Sequence, residues 1–148
     1  MPPTQKPNVL FLCTGNACRS QMAEGFARAL RGEVVQPYSA GIEARGLDPR
    51  AVQVMAEVGV DIFGQRSKTV DALRDVTLDY VVTVCGHAHE HCPTFHGPAR
   101  IVHVGFDDPP QLAKGARTEE EALSHYRRVR DQIKAFVLKL PDVLTEPQ

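Results

Sequence analysis

The sequence predicts an α/β protein, a parallel sheet with helices on both faces. Three observations predict it. Short strand-like runs are interleaved with amphipathic helical segments along the chain. The first run, residues 8–13, is apolar without alternation, which is the pattern of a strand buried on both sides. The 148 residues make one ordinary domain, and 43% apolar with 24% charged residues is a globular composition.

The elements follow in order. Residues 1–7 are expected as a loose tail, and residues 8–13 as the first strand. A helix is predicted from Ala17 to about Leu30, with Met22, Phe26, Ala27 and Leu30 on one face and Gly32 as its stop. EVVQPYSAG holds a second short strand, limited by Pro37. A second helix opens at Pro49 with Asp48 as its cap and ends near Gly59. A weaker helix is expected near residues 68–75. DYVVTVC (79–85) and RIVHV (100–104) read as strands. Thr118 opens a long helix with Glu121 completing a capping box. Ala122, Tyr126, Val129, Ile133, Val137 and Leu140 form its buried stripe, Arg127, Arg128 and Arg130 its solvated face, and Pro141 its end. Residues 142–148 are expected as a tail, leaving a single domain over 8–141. In open α/β sheets ligands bind beyond the carboxyl ends of strands. Cys13, Cys85 and the GFDDPP segment all fall at such ends, so topology brings them to one edge.

Bulk properties exclude several function classes. The formal net charge is −1, which offers no general attraction for nucleic acid or acidic membranes. Val9-Leu10-Phe11-Leu12 is far too short to span a bilayer. The N-terminal MPPTQKPN has no apolar core, so no signal peptide is expected and the protein reads as cytoplasmic. In a reducing compartment, Cys13, Cys18, Cys85 and Cys92 point to catalysis or metal binding rather than structural disulfides.

The most informative stretch is VLFLCTGNACRSQM. A strand ends on Cys13, a small loop follows, and Arg19 and Ser20 stand at the start of a helix. Gly15 can take φ > 0 and Asn16 tolerates it. Thr14, Gly15, Asn16, Ala17, Cys18, Arg19 and Ser20 can then turn their backbone N–H groups into an anion nest at a helix N-terminus. Arg19 adds a planar fork suited to a tetrahedral oxyanion. The same groups favour a thiolate at Cys13, to which Ser20 can donate a hydrogen bond. The pattern suits a nucleophile seated beneath a phosphate-like anion.

This loop resembles the phosphate-binding loop of the low-molecular-weight protein tyrosine phosphatase superfamily. YSAGIE, the VVTVC strand and GFDDPP resemble one branch of it, the thioredoxin-coupled arsenate reductases, from Val9 to about Leu138. The resemblance implies a flavodoxin-like three-layer sandwich with four parallel strands. It implies arsenate as substrate, phosphate as a competing oxyanion and weak phosphatase activity. It also implies arsenic detoxification through a Cys13–Cys85–Cys92 relay, with Arg19 stabilising the oxyanion and Asp108, before Pro109, as the acid. The final Cys85–Cys92 disulfide would sit on a segment that loops out and is reduced by thioredoxin, with glutathione and glutaredoxin as the other possible donor. No cofactor and a monomeric state are expected. Asn16, Ser39 and Glu24 match positions that organise the loop and in some members help hold potassium. Lys68 stands where some of those members carry aspartate, and its ammonium can replace the cation, so no potassium site is expected.

Two other readings stay open on the residues. A phosphotyrosine phosphatase needs Cys13, Arg19 and an acid, but neither Cys85 nor Cys92. A metal-binding or redox-sensing protein would use CGHAHEHC, where Cys85, His87, His89, His91 and Cys92 are all plausible ligands. One tight cluster lacks the paired spacing of structural zinc sites, so no metal is expected. Cys18 reads as a small loop filler. Residues 86–98, with two glycines and two prolines, read as a segment that can rearrange.

Overall fold

β1 (Asn8–Cys13) runs through the middle of the structure, a computed structural model that describes residues 6–93, 95 and 99–145. Val9, Leu10, Phe11 and Leu12 are each 0% exposed. Successive strand side chains point to opposite faces, so both faces of β1 are covered. β2 (Gln36–Gly41) pairs on one side of β1, β3 (Tyr80–Thr83) on the other, and β4 (Arg100–His103) outside β3. All pairings are parallel, in the order β2-β1-β3-β4. The chain steps from β1 out to β2, then recrosses to β3. The strand order therefore reverses between the carboxyl ends of β1 and β3, where an open sheet leaves a crevice.

Pro37 lies inside β2 rather than bounding it, opposite Val9. It is tolerated because β2 is an edge strand with one side free of ladder bonds. α1 (Arg19–Arg31) packs on β1, β2 and α5 (Glu119–Val137), and α2 (Pro49–Glu57) packs on α1 and α5. α3 (Gly86–Glu90) lies against β1 and β3, and α4 (Pro109–Ala113) against α5. The predicted stripe of α5 is buried throughout, as are Met22, Phe26 and Ala27 of α1, while Leu30 is partly exposed.

The caps explain where helices begin. Asp48 Oδ1 accepts the Arg50 N–H at 2.9 Å. Thr118 Oγ1 accepts the Glu121 N–H at 3.0 Å, but the Glu121 carboxylate turns back to Arg117 N at 2.6 Å rather than closing a capping box. Gly59, at φ +81°, ends α2 in the left-handed region.

Several segments differ from the sequence reading. The stretch near 68–75 forms only a 3₁₀ turn, Val70–Leu73. α3 and α4, five residues each, are too short to show a helical period. Arg130 is buried rather than solvated, because its guanidinium donates to the Val54 carbonyl and pairs with Glu57 and Asp131. The segment expected as a C-terminal tail folds over Asp142–Thr145 into α6 and buries Leu144. At the other end, Lys6 Nζ donates to the Gly32 carbonyl at 2.9 Å, and Pro7 accepts from Gln36 N at 2.9 Å. Residues 1–5 and 146–148 lie outside the described residues. No described helix is long and apolar enough to cross a membrane.

Candidate active site

Cys13 closes β1 and is 3% exposed. Its Sγ lies 2.9 Å from Ser20 Oγ. Asn16 Nδ2 donates to the same hydroxyl at 2.9 Å. That bond occupies a lone pair on Ser20 and leaves the hydroxyl proton free for the sulfur.

The loop after Cys13 is held from outside. Residues 42–48 run beside it. Ile42, Glu43, Arg45 and Asp48 donate their N–H groups to the carbonyls of Cys13, Thr14, Gly15 and Ala17 at 2.8–3.1 Å. In a trans peptide the N–H lies opposite the carbonyl, so the loop's N–H edges face away from residues 42–48, as an anion nest requires. Gly41 allows this approach: a Cβ there would lie 2.7 Å from Asn16 N and 2.8 Å from the Thr14 carbonyl oxygen. Asn16, not Gly15, takes the left-handed conformation, at φ +48°. Its side chain compensates, with Oδ1 accepting from Lys68 N at 2.9 Å and Gln21 Nε2 at 3.0 Å.

Behind the loop, Ser39 Oγ donates to Glu24 Oε1 at 2.5 Å, and Arg28 pairs with Glu24 Oε2 at 2.6 Å. Lys68 Nζ stands 3.8 Å from Glu24 Oε1. Burial pushes the Lys68 ammonium below the ordinary lysine range, against the opposing pull of Glu24.

In front, a cleft of about 390 Å³ is lined by Cys13, Cys18, Arg19, Asp48, Asp108 and Pro110, among others. Arg19 is held at its mouth. One nitrogen donates to the Phe106 carbonyl at 2.9 Å and the other lies 3.6 Å from Asp108 Oδ1. The two adjacent aspartates part ways. Asp107 pairs with Arg128 of α5 at 3.0 Å, whereas Asp108 faces the cleft. Cys18 is buried, and burial, reinforced by the Asp48 carboxylate, pushes its thiol well above the ordinary range. Asp48 is itself tied down by the Tyr126 hydroxyl at 2.7 Å.

Cys85 comes from the end of the neighbouring strand. It is buried, 3.3 Å from Thr14 Oγ1, and its sulfur accepts the Ala88 N–H at 3.4 Å as the N-cap of α3. Cys92 lies beyond the other end of α3, half-buried, and burial raises its thiol. All four cysteines are free thiols. Of the segment expected to rearrange, Thr94, His96, Gly97 and Pro98 lie outside the described residues. His87, His89 and His91 pair rather than converge, with rings 4.3 Å apart for His87–His91 and 4.4 Å for His89–His103. Among the described residues no three of His, Cys, Asp or Glu are grouped to hold a metal ion.

The structure thus brings together Cys13, the residue 14–20 loop, Arg19, Asp108 and Cys85, and places Cys92 two residues past the C-terminal end of α3. Sequence reasoning missed the scaffold behind the loop: Gln21, Gln65, Ser67 and Tyr126. Gln21 Nε2 donates to Asn16 O and Arg66 O at 3.0 Å each, Gln65 Nε2 donates to Gln21 Oε1 at 2.7 Å, and Ser67 Oγ donates to Gly15 O at 3.0 Å. No spacing marks such residues, because most of their partners lie far away along the chain, as for Gln21 with Arg66 and Ser67 with Gly15.

A thiol at the base of an N–H-lined loop, with a guanidinium and a carboxyl group at the cleft, is an arrangement able to hold a tetrahedral oxyanion over a cysteine nucleophile. The chain belongs to the low molecular weight phosphotyrosine protein phosphatase family, which it matches over residues 8–147. It is 50% identical over 128 residues to an arsenate reductase of Halalkalibacterium halodurans, covering 86% of this chain and 90% of the relative. It is also 50% identical over 125 residues to an arsenate reductase of Bacillus subtilis, covering 84% and 88%. Among solved structures it resembles an arsenate reductase in the phosphate-binding state, with a TM-score of 0.72, 31% identity and coverage of 94% of this chain and 99% of that one. The fold and family expected from the sequence are those found.

Proposed function

We propose that this protein reduces arsenate to arsenite through a Cys13–Cys85–Cys92 relay and passes the final disulfide to thioredoxin. The observation that carries the reading is the second thiol. Cys85 Sγ is held at the switch point by the hydroxyl of Thr14, the residue directly after Cys13. A phosphatase has no use for a thiol there. The names of the relatives supply the oxyanion.

The Cys13 thiolate attacks arsenic while Arg19 and the loop N–H groups hold the oxyanion. Asp108 gives a proton to the departing oxygen, which leaves as water. The Cys85 thiolate then attacks Cys13 Sγ. The S–S bond forms, the S–As bond breaks, and its electron pair stays on arsenic, which leaves as As(III). Cys92 next attacks Cys85, releasing Cys13 and leaving a Cys85–Cys92 disulfide. An external dithiol restores both thiols. The Ala88 N–H, 3.4 Å from Cys85 Sγ, holds the second sulfur in place beside the Cys13 loop. Phosphate, alike in shape and charge, competes in the cleft, and slow phosphate ester hydrolysis uses the first half of the same machinery. The enzyme acts as a cytoplasmic monomer.

The test is NADPH oxidation with arsenate, thioredoxin and thioredoxin reductase, beside a glutathione–glutaredoxin arm. Arsenate-dependent oxidation in the thioredoxin arm is the expected result. Activity only in the glutaredoxin arm keeps the reaction and replaces the donor. Aryl phosphate hydrolysis without reduction in either arm makes the protein a phosphatase.

A further inference from the structure

Thr83, the last residue of β3, is fully buried, yet its hydroxyl meets two imidazoles. His103 Nδ1 of β4 lies 2.8 Å from Oγ1, and His89 Nδ1 of α3 lies 3.2 Å from it. The two rings are 4.4 Å apart and inclined at 31°. A threonine hydroxyl carries one proton. It donates to one imidazole and accepts Nδ1–H from the other, so the neutral rings are held as opposite tautomers. One ring belongs to the sheet and the other to the helix. The hydroxyl therefore fastens α3 to β3 and β4.

α3 has few other anchors. It is five residues long, and of these only Ala88 is buried. Its N-terminal anchor is Cys85, through Thr14 Oγ1. A Cys85–Cys92 disulfide needs Cα atoms within about 7 Å. Cys85 caps the start of α3 and Cys92 lies two residues past its end, and the five helical residues between them rise about 7.5 Å. If the Thr83 hydroxyl acts as a latch, closing that bond draws the two ends of α3 together and takes His89 away from Thr83.

We propose that Thr83, His89 and His103 are positioning residues that form a latch on the redox helix. It holds α3 wound, with Cys85 beside the Cys13 loop, and opposes Cys85–Cys92 disulfide formation. The inference rests on the relay reading. In the coupled exchange, Cys85 and Cys92 give up two electrons and two protons to an oxidised thioredoxin disulfide, which becomes the dithiol. The latch weights this equilibrium toward the Cys85/Cys92 dithiol.

The test equilibrates full-length protein with oxidised and reduced thioredoxin at fixed ratios, traps the thiols with acid and alkylation, and quantifies Cys85–Cys92 by mass. His89→Ala, at an exposed residue, is expected to shift the equilibrium about three- to tenfold toward the disulfide, the loss of one net hydrogen bond, whereas His103→Ala leaves the Thr83–His89 bond in place and shifts it less. The His89→Ala shift equals about 15 to 30 mV at about 29.6 mV per tenfold. His87→Ala, on the same helix but off the latch, leaves the equilibrium unchanged. In a Thr83→Val background, His89→Ala adds nothing further. Aryl phosphate hydrolysis is unchanged in His89→Ala. An unshifted equilibrium in His89→Ala, or an undiminished His89→Ala effect without the Thr83 hydroxyl, overturns the latch. A wild type that forms no Cys85–Cys92 disulfide overturns the relay and the latch together, and that result is read before any variant is made.

Discussion

Ser20→Ala tests the proposed nucleophilic role of Cys13 most directly. Ser20 is fully buried, and its hydroxyl bridges Cys13 Sγ and Asn16 Nδ2, at 2.9 Å each. Removing the hydroxyl takes away a hydrogen bond to a charged acceptor, worth about 1.5–3 kcal/mol. That corresponds to a loss of about 10- to 150-fold in kcat/KM at neutral pH. It also strands the Asn16 amide in a buried site, at about 1–3 kcal/mol of stability. Steady-state kinetics with arsenate and with an aryl phosphate, beside urea unfolding, measure both effects. Both reactions begin with attack by Cys13, so both must fall by the same factor. Reduction that falls while ester hydrolysis stays intact would refute the reasoning, as would wild-type rates for both in a folded variant.

Other predictions bear on the remaining thiols and on the base of the loop. Cys85→Ser and Cys92→Ser are expected to abolish multiple-turnover arsenate reduction while sparing aryl phosphate hydrolysis; loss of hydrolysis in both would make these residues structural. Burial holds the Cys18 thiol neutral in the folded state, whereas the unfolded chain releases its proton near pH 8.5. The folded state then binds more protons, so stability falls by about 1.4 kcal/mol per pH unit above that point. The unfolding free energy of Cys18→Ala, measured from pH 7 to 9.5, should lack this part of the slope. Cys92, also raised, adds a slope of the same sign that both proteins share. Lys68 Nζ serves as the cation facing Glu24, so exchanging sodium for potassium leaves wild-type kinetics unchanged. Lys68→Ala makes the rates respond to potassium, and a potassium response already present in the wild type would count against this role.

Local pattern made much of the fold legible. β1 announces itself because burial on both faces favours an unbroken apolar run, and VLFL is such a run. α2 and α5 announce themselves through Asp48, Pro49 and Thr118, because capping is settled within one turn of chain. Cys13, Arg19 and Ser20 are legible for the same reason: a strand end, an N–H-lined loop and a helix start are contiguous. Three other features were not legible. Pro37 is admitted to β2 only because no strand lies beyond it. Arg130 is buried because Val54 O and Glu57, from a helix far away in sequence, satisfy its guanidinium. α6 folds because Leu144 finds a buried place.

By itself, the sequence determined the parallel sheet, the order of its principal elements and the nucleophile's loop. Each depends on residues within a few positions of one another, where backbone propensity, capping and spacing act. Tertiary structure alone decided that Asp107 turns away to Arg128 and that Cys85 meets the Cys13 loop through Thr14. It also decided that Gln21, Gln65 and Ser67 brace that loop and that Thr83 joins two histidines. Most of these contacts join segments distant along the chain, such as Ser67 to Gly15 and Cys85 to Thr14. Their free energy depends on distances and burial that exist only once the sheet has brought the segments together.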